Sequence, residues 1–194
     1  MKLSDMFQAV DLLYNEWDLG KSASKTKGKA CAWIYLMEIL EETEIVVMHK
    51  KNNKLIGFCG YAKWNSDKYK IKKKFYHLLK KILLHSPTIK DKSAVHNYLQ
   101  TYNYTPEELK DNFDGEISIL IVDKNYRGKG IGKELLLQIF EKAKSDNVKT
   151  LQILSDEACS FNIYETCGCE KVYETTLLNG EKDIQTGYIY EKVL

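Results

Sequence analysis

The sequence predicts an α/β fold built around one strand, one glycine-rich turn and one amphipathic helix. Residues 117–122, Ile-Ser-Ile-Leu-Ile-Val, are strand formers in an almost unbroken apolar run. A polar turn, Asp123-Lys124-Asn125-Tyr126, leads into Arg127-Gly128-Lys129-Gly130-Ile131-Gly132-Lys133. Beyond it Ile131, Leu135 and Ile139 recur on one face of a helix that runs to about residue 147.

The remaining elements follow from the same periodicities. Residues 4–17 form an amphipathic helix through Met6, Val10, Leu13 and Trp17, with Ser4 as its cap. Residues 20–29 are lysine- and serine-rich and read as a polar loop. Residues 30–42 make a second helix that carries Trp33, Ile34, Met37 and Leu40 inward. Glu38, Glu41 and Glu42 collect at its end, either as a solvated face or as an attraction for a cationic amine. Two strands, 44–48 and 55–64, form a hairpin across Lys51-Asn52-Asn53-Lys54.

Between this hairpin and the central strand lies a long connection, about residues 66–112, that needs structure of its own. Residues 67–92 hold nine lysines against two aspartates. Ile71, Phe75, Leu78, Leu79 and Ile82 make a helical stripe there, predicted to pack inward on the sheet edge with the lysines in solvent. A membrane-surface or partner-binding helix, an acceptor-site lid and a basic wall near phosphates are the alternatives. Thr105-Pro106-Glu107-Glu108 marks a helix start with Thr105 as cap. His77, His85 and His96 read as surface or packing residues. Residues 150–154 form another strand, 158–167 a short helix ended by Gly168, and 171–193 a closing hairpin.

Composition excludes several classes. The 194 residues fit a single domain, 1–194, and the net charge of +2 is too small to argue for nucleic acid. No apolar run is long enough for a membrane span, and the opening residues lack a secretory pattern. Five cysteines at irregular spacing suit free thiols in a reducing cytoplasm, and Cys167-x-Cys169 lacks a second pair at zinc spacing, so no metal is expected.

The glycine turn carries the chemistry. A helix start offers backbone N–H groups without intrahelical partners, together with the positive end of the helix dipole. Glycines let an anion approach, and Arg127, Lys129 and Lys133 add charge. Gly128-x-Gly130-x-Gly132 does not have the dinucleotide period, and Glu134 after Gly132-Lys133 excludes the nucleotide P-loop hydroxyl. Arg127-x-x-Gly130-x-Gly132 resembles the cofactor loop of the GNAT superfamily of acetyl-CoA-dependent N-acyltransferases. Asn162-Ile163-Tyr164-Glu165-Thr166-Cys167-Gly168-Cys169 is similar to that family's Phe-Tyr-Glu-x-x-Gly-Phe signature, with Cys169 in place of an aromatic. Glu157 stands where many relatives carry an asparagine.

This resemblance implies a mixed, mostly antiparallel central sheet with flanking helices. It places the helical insertion between strands 3 and 4 of the family's count. The strand that usually opens such folds has little room here. The resemblance further implies acetyl-CoA as cosubstrate, bound by the main chain of Arg127, Gly128, Lys129, Gly130, Ile131, Gly132 and Lys133. The pantetheine arm would run beside Leu120, Ile121 and Val122. Tyr164 would be the general acid toward the leaving thiolate. Glu116, of matching parity with Ser118 and Leu120, is the candidate base, acting directly or through water. The expected acceptor is a primary amine on a small molecule, such as an aminoglycoside. A protein or peptide amine, or a non-catalytic acyl-CoA-binding module, are the other readings, and a homodimer is open to this chain.

Overall fold

The structure is a computed structural model and describes residues 1–17, 24–85, 105–157, 159, 162–179 and 183–194. Helices α1 (Leu3–Glu16) and α2 (Lys25–Glu42) come first, then strands β1 (Ile45–Lys51) and β2 (Lys54–Lys63), then α3 (Lys70–Leu84) and the short α4 (Glu107–Lys110). The central strand is β3 (Gly115–Val122). A single 3-10 turn, Lys124–Tyr126, leads from it to α5 (Ile131–Ser145). β4 (Thr150–Asp156), α6 (Asn162–Thr166), β5 (Glu170–Asn179) and β6 (Asp183–Val193) complete the chain. The six strands form one sheet in the order β1-β2-β3-β4-β6-β5, antiparallel at every pair except β3 with β4. The predicted mixed, mostly antiparallel sheet is therefore present. Among the described residues no strand precedes α1.

Local chemistry explains most boundaries. Asn52 and Asn53 both take positive φ, 51° and 61°, as the tight turn between β1 and β2 requires. Gly168, at φ 72°, ends α6 while the Cys169 N–H donates back to the Tyr164 carbonyl at 3.0 Å. Leu13, Ile34, Met37 and Leu40 are buried as the helical spacing predicts, in a core shared with Phe58, Ile119 and Ile121. A second core gathers Leu135, Ile139 and Leu136 of α5 with Ile117, Leu151, Ile153 and Tyr190.

Three helix starts differ from expectation. α1 begins at Leu3, and its first turn is tied by the Asp5 carboxylate accepting from the Lys2 N–H at 3.2 Å, so Ser4 is not its cap. α2 begins at Lys25, five residues before the apolar pattern, because Ser24 Oγ accepts from the Lys27 N–H at 3.2 Å. Its first turn looks like a polar loop in sequence since only the later turns meet the core. Thr105 leaves the start of α4 uncapped and donates its hydroxyl to Gln152 Oε1 at 3.0 Å.

The larger correction concerns α3, whose apolar stripe faces outward except at Leu79, which packs against the core beneath α1 and α2. Ile71 is 87% exposed and Phe75, Leu78 and Ile82 are more than half exposed, while Tyr76 is buried. The lysine side meets α2 instead. Lys80 pairs with Glu38 at 2.8 Å and Glu41 at 2.6 Å, and Lys73 lies 3.2 Å from Glu44. Lys72 Nζ donates to the carbonyls of Thr43 and Glu44 at 2.7 and 3.0 Å. The acidic end of α2 has no basic residue of its own, and cations at a helix C-terminus answer both its carboxylates and its unpaired carbonyls. His77 joins the same interface, with Nδ1 2.7 Å from Glu41 Oε1. His96 and the rest of residues 86–104 lie outside the described residues.

Candidate functional site: a cleft between diverging strands

β3 and β4 pair in parallel only at Gly115 with Leu151 and Glu116 with Gln152. Beyond that point they separate, and a cleft of about 2410 Å³ opens between them. It is lined along its length by Glu116–Val122 and Gln152–Asp156. Opening a parallel pair this way leaves one edge of β3 without ladder partners, so its main-chain groups face the cleft. The Asp123 N–H donates to Ile56 on the β2 side at 2.8 Å. By the two-residue alternation of a strand, the N–H and C=O groups of Val122 and Leu120 then point toward the cleft.

β3 also contains a bulge that its sequence does not announce. Gly60 opposes Ile119 and Tyr61 opposes Ile117, which leaves Ser118 as an extra residue. The predicted parity of Glu116 with Leu120 is therefore broken, while Glu116 and Ser118 keep the same side. Leu120 and Val122 share the α5-side core with Ile117, whereas Ile119 and Ile121 belong to the core beneath α1 and α2. Counting across the bulge, Glu116 lies on the α2 side. Ser118 is used there as a bolt, its hydroxyl 2.7 Å from that of Thr43, the residue that ends α2.

At one end of the cleft lies the glycine turn. Gly128 and Gly130 take φ of 73° and 78°, a region costly for side-chain-bearing residues, and a Cβ at either would meet open space. Gly132 is required by packing instead, since a Cβ there would lie 2.8 Å from Ile163 Cδ1. The first bond of α5 runs from the Glu134 N–H to the Gly130 carbonyl at 2.9 Å. The amides of Ile131, Gly132 and Lys133 precede that bond and lie at the positive end of the helix dipole. An anion fits this cradle, because the amides are available and the space above Gly128 and Gly130 is clear.

Arg127 holds a different position from the one its charge suggests. Its Nε donates to the Val122 carbonyl at 3.0 Å and a terminal nitrogen to Glu16 Oε2 at 2.5 Å. The guanidinium thus ties the turn to β3 and α1, and Glu16 offsets its charge. The Lys129 ammonium sits 5.0 Å above the Tyr126 ring. Lys133 lines the cleft wall beside the cradle.

The other end of the cleft is acidic and aromatic. Trp64 lines it together with Glu42 and Glu116, and Trp17 and Tyr35 also line the cleft. Burial pushes the Glu116 carboxyl above its ordinary value, opposed by Gln152 Nε2, which donates to Glu116 Oε2 at 2.9 Å. Glu42 is reached by the water of the open cleft, yet the surrounding walls strip part of its hydration. That burial, with the charges of Glu116, Glu38 and Glu41 added, pushes its carboxyl up to about 7. The charges of Glu38 and Glu41 are already met by Lys80.

Tyr164 is 8% exposed and lines the cleft from α6. Its ring lies 5.3 Å from that of Tyr190. Burial holds its phenol well above the ordinary tyrosine range, with Cys159 and Cys59 adding to the shift and a hydrogen bond to Ser155 opposing it. The hydroxyl therefore stays protonated at neutral pH. Glu157 turns into a bond between its N–H and the Thr186 carbonyl at 3.1 Å, and neighbouring Asp156 lines the cleft instead.

One cleft thus brings together Glu116, Leu120, Ile121, Val122, Arg127, Gly128, Gly130, Ile131, Gly132, Lys133 and Tyr164. Lys129 stands just outside it, on the Tyr126 ring. Sequence reasoning missed Gln152, which fixes Glu116, Glu16, which occupies Arg127, and the Ser118 bulge. A glutamine in an apolar strand, Leu151-Gln152-Ile153, was the available signal for the first. Among the described residues no cluster of three metal-ligating side chains occurs.

Residues 91–169 match the model of the Acetyltransferase (GNAT) family, a stretch that takes in β3, the glycine turn and α6. In fold the chain is similar to an N-acetyltransferase from Staphylococcus aureus Mu50, with TM-score 0.57 and 13% identity over 100% of this chain and 94% of that one. It is also similar to smu.2055 from Streptococcus mutans UA159, with TM-score 0.59 and 17% identity over 100% of this chain and 96% of that one. None of the curated proteins matches the sequence.

Proposed function

We propose, from the match of residues 91–169 to the GNAT acetyltransferase family model, that the chain moves the acetyl group of acetyl-CoA to a primary amine of a small molecule. The observation that carries this reading is the shared cleft. The glycine turn at residues 128–133, the strand edge at Leu120 and Val122, and Tyr164 all line one cleft. That combination suits a long ligand with a diphosphate at one end and a reactive thioester at the other.

The amides of Ile131, Gly132 and Lys133 hold the diphosphate, and the Arg127 main chain presents the turn. The N–H of Val122 and the N–H and C=O of Leu120 pair with the amides of the pantetheine arm as an added strand would. The Val122 carbonyl is occupied by Arg127 and takes no part. A main-chain N–H of this strand edge receives the oxyanion that forms when the amine attacks the thioester carbonyl. Glu116 removes the ammonium proton, directly or through water, and burial suits it to that role by keeping its carboxylate basic. Tyr164 gives its proton to the departing sulfur. Its raised pKa is no obstacle, because the phenolate recovers a proton from the new amide nitrogen in the same step. The acidic and aromatic end of the cleft supports a cationic acceptor.

Release of free thiol from acetyl-CoA across a panel of small amines and lysine peptides tests the reading. Turnover with small amines supports it. Turnover with peptides alone makes the acceptor a protein amine, and coenzyme binding without any turnover makes the chain a binding module.

A further inference from the structure

We propose that Glu42 and Glu116 act as a two-carboxylate proton relay, in which Glu42 is the member that delivers the acceptor's proton to solvent. The inference rests on the acetyltransferase reading above and adds to it a residue from outside the stretch that matches the family model.

Glu116 alone makes an incomplete base. Its carboxylate is screened from water, and Gln152 Nε2, itself fixed by Thr105, engages one of its oxygens. A proton that arrives there needs an exit. The bulge at Ser118 turns Glu116 toward α2, and the 2.7 Å contact between Ser118 and Thr43 pins the end of α2 against β3 at that point. Glu42 immediately precedes Thr43, lines the same cleft as Glu116, and is reached by solvent. Among the described residues it has no hydrogen-bond or ion-pair partner, whereas its neighbours Glu38 and Glu41 are bound to Lys80.

The groups that face Glu42 are Glu38 and Glu41 on its own helix, Lys80 on α3 and Glu116 on β3. Lys73 is turned to Glu44, and Lys72 to the main-chain carbonyls of Thr43 and Glu44. The remaining like charge that nothing neutralises is therefore Glu116. Burial, with the charge of Glu116 added, holds the Glu42 proton into the neutral range, while burial raises the Glu116 carboxyl beside it.

The acceptor R–NH3⁺ gives one proton to the Glu116 carboxylate and becomes R–NH2. Glu116 passes that proton, through water in the cleft, to the Glu42 carboxylate, and Glu42 releases it to bulk solvent. The amine lone pair forms the C–N bond as the C–S bond breaks. Tyr164 protonates the sulfur and recovers the second nitrogen proton. One proton leaves per turnover, through Glu42.

Two measurements on the full chain test the relay. The first is the pH dependence of kcat/KM for putrescine, spermidine and benzylamine in the wild type, Glu42→Gln and Glu116→Gln. Glu42→Gln should lower kcat/KM by about 10²-fold at pH 7. Glu116→Gln should move the ascending limb from near 7 toward acid, because it removes the charge that helps raise Glu42, and Glu42→Gln should remove the limb near 7. The second needs no activity. Carboxyl carbon NMR should give a Glu42 midpoint near 7 that falls in Glu116→Gln. A limb and rate unchanged by Glu42→Gln, or a Glu42 midpoint unaffected by Glu116→Gln, overturns the relay. Absence of turnover in the wild type with the coupled midpoints intact would count against the acetyltransferase reading instead, and leave the carboxylate pair established.

Discussion

Gln152 Nε2 donates to Glu116 Oε2 at 2.9 Å, and the Thr105 hydroxyl donates to Oε1 of the same amide at 3.0 Å. A carboxylate only accepts, so Glu116 draws the N–H end of the amide, and the Thr105 hydroxyl, which can donate or accept, serves the oxygen end. This places a buried carboxylate at the point where β3 and β4 part, the root of the cleft.

Replacing Gln152 with leucine should therefore be costly. It leaves the Glu116 carboxylate buried without its donor and the Thr105 hydroxyl without its acceptor. A loss of about 1–3 kcal/mol in urea unfolding is expected at pH 8. The loss should shrink at pH 5, where a carboxyl raised by burial takes up its proton more readily. An equal loss at both values would mean that Gln152 matters only as a packing residue.

Gly132 and Ile163 are coupled by space. A Cβ at 132 would lie 2.8 Å from Ile163 Cδ1, and Ile163 adjoins Tyr164. Gly132→Ala should lower turnover by displacing α6, and Ile163→Val, which deletes the clashing methyl, should restore it. Additive effects in this double-mutant cycle would break the link. Gly130→Ala is different. It clashes with nothing but must hold φ near 78°, so a stability loss of about 1–2 kcal/mol should accompany it, with no rescue by Ile163→Val.

Tyr164→Phe keeps the ring against Tyr190 and removes the proton donor. Turnover should fall by about 10²- to 10⁴-fold while acetyl-CoA affinity changes little. Loss of affinity in step with turnover would make the tyrosine structural.

Glu42 sets a pH-dependent stability. Its carboxyl is raised above its unfolded value, so the folded state holds the proton more tightly. That stabilisation is complete below about pH 4 and is lost as pH rises through about 7. Glu42→Gln should leave the melting temperature nearly unchanged at pH 4. At pH 8 it should raise it by roughly 2–4 °C, the shift that about 1 kcal/mol produces in a chain of this size. A lower melting temperature at pH 8 would contradict the assignment.

Much of this was legible in the residues themselves. The glycine turn could be read because left-handed φ and close packing admit few residue types, and Asn52-Asn53 announced its hairpin for the same reason. Glu116 could be read as a candidate base, but its partners lie far off in sequence and no local pattern names them. The face it takes was misread because a bulge shifts parity without any signature in Ile117-Ser118-Ile119. The stripe of α3 was misread for an energetic reason. Periodicity reports amphipathicity, and the acidic end of α2 draws the lysine side inward at the expense of Ile71 and Phe75. The early start of α2 was hidden because capping by Ser24 needs no apolar residue.

The central claim is that the amides at the start of α5 hold the diphosphate of acetyl-CoA. Calorimetric titration of acetyl-CoA into the wild type and into Gly130→Asp, with folding checked by circular dichroism, tests it most directly. The account predicts one exothermic site in the wild type and none in the variant, whose added carboxylate stands in the open space above the turn. Absence of heat in the wild type, or undiminished binding in a folded Gly130→Asp, would contradict it.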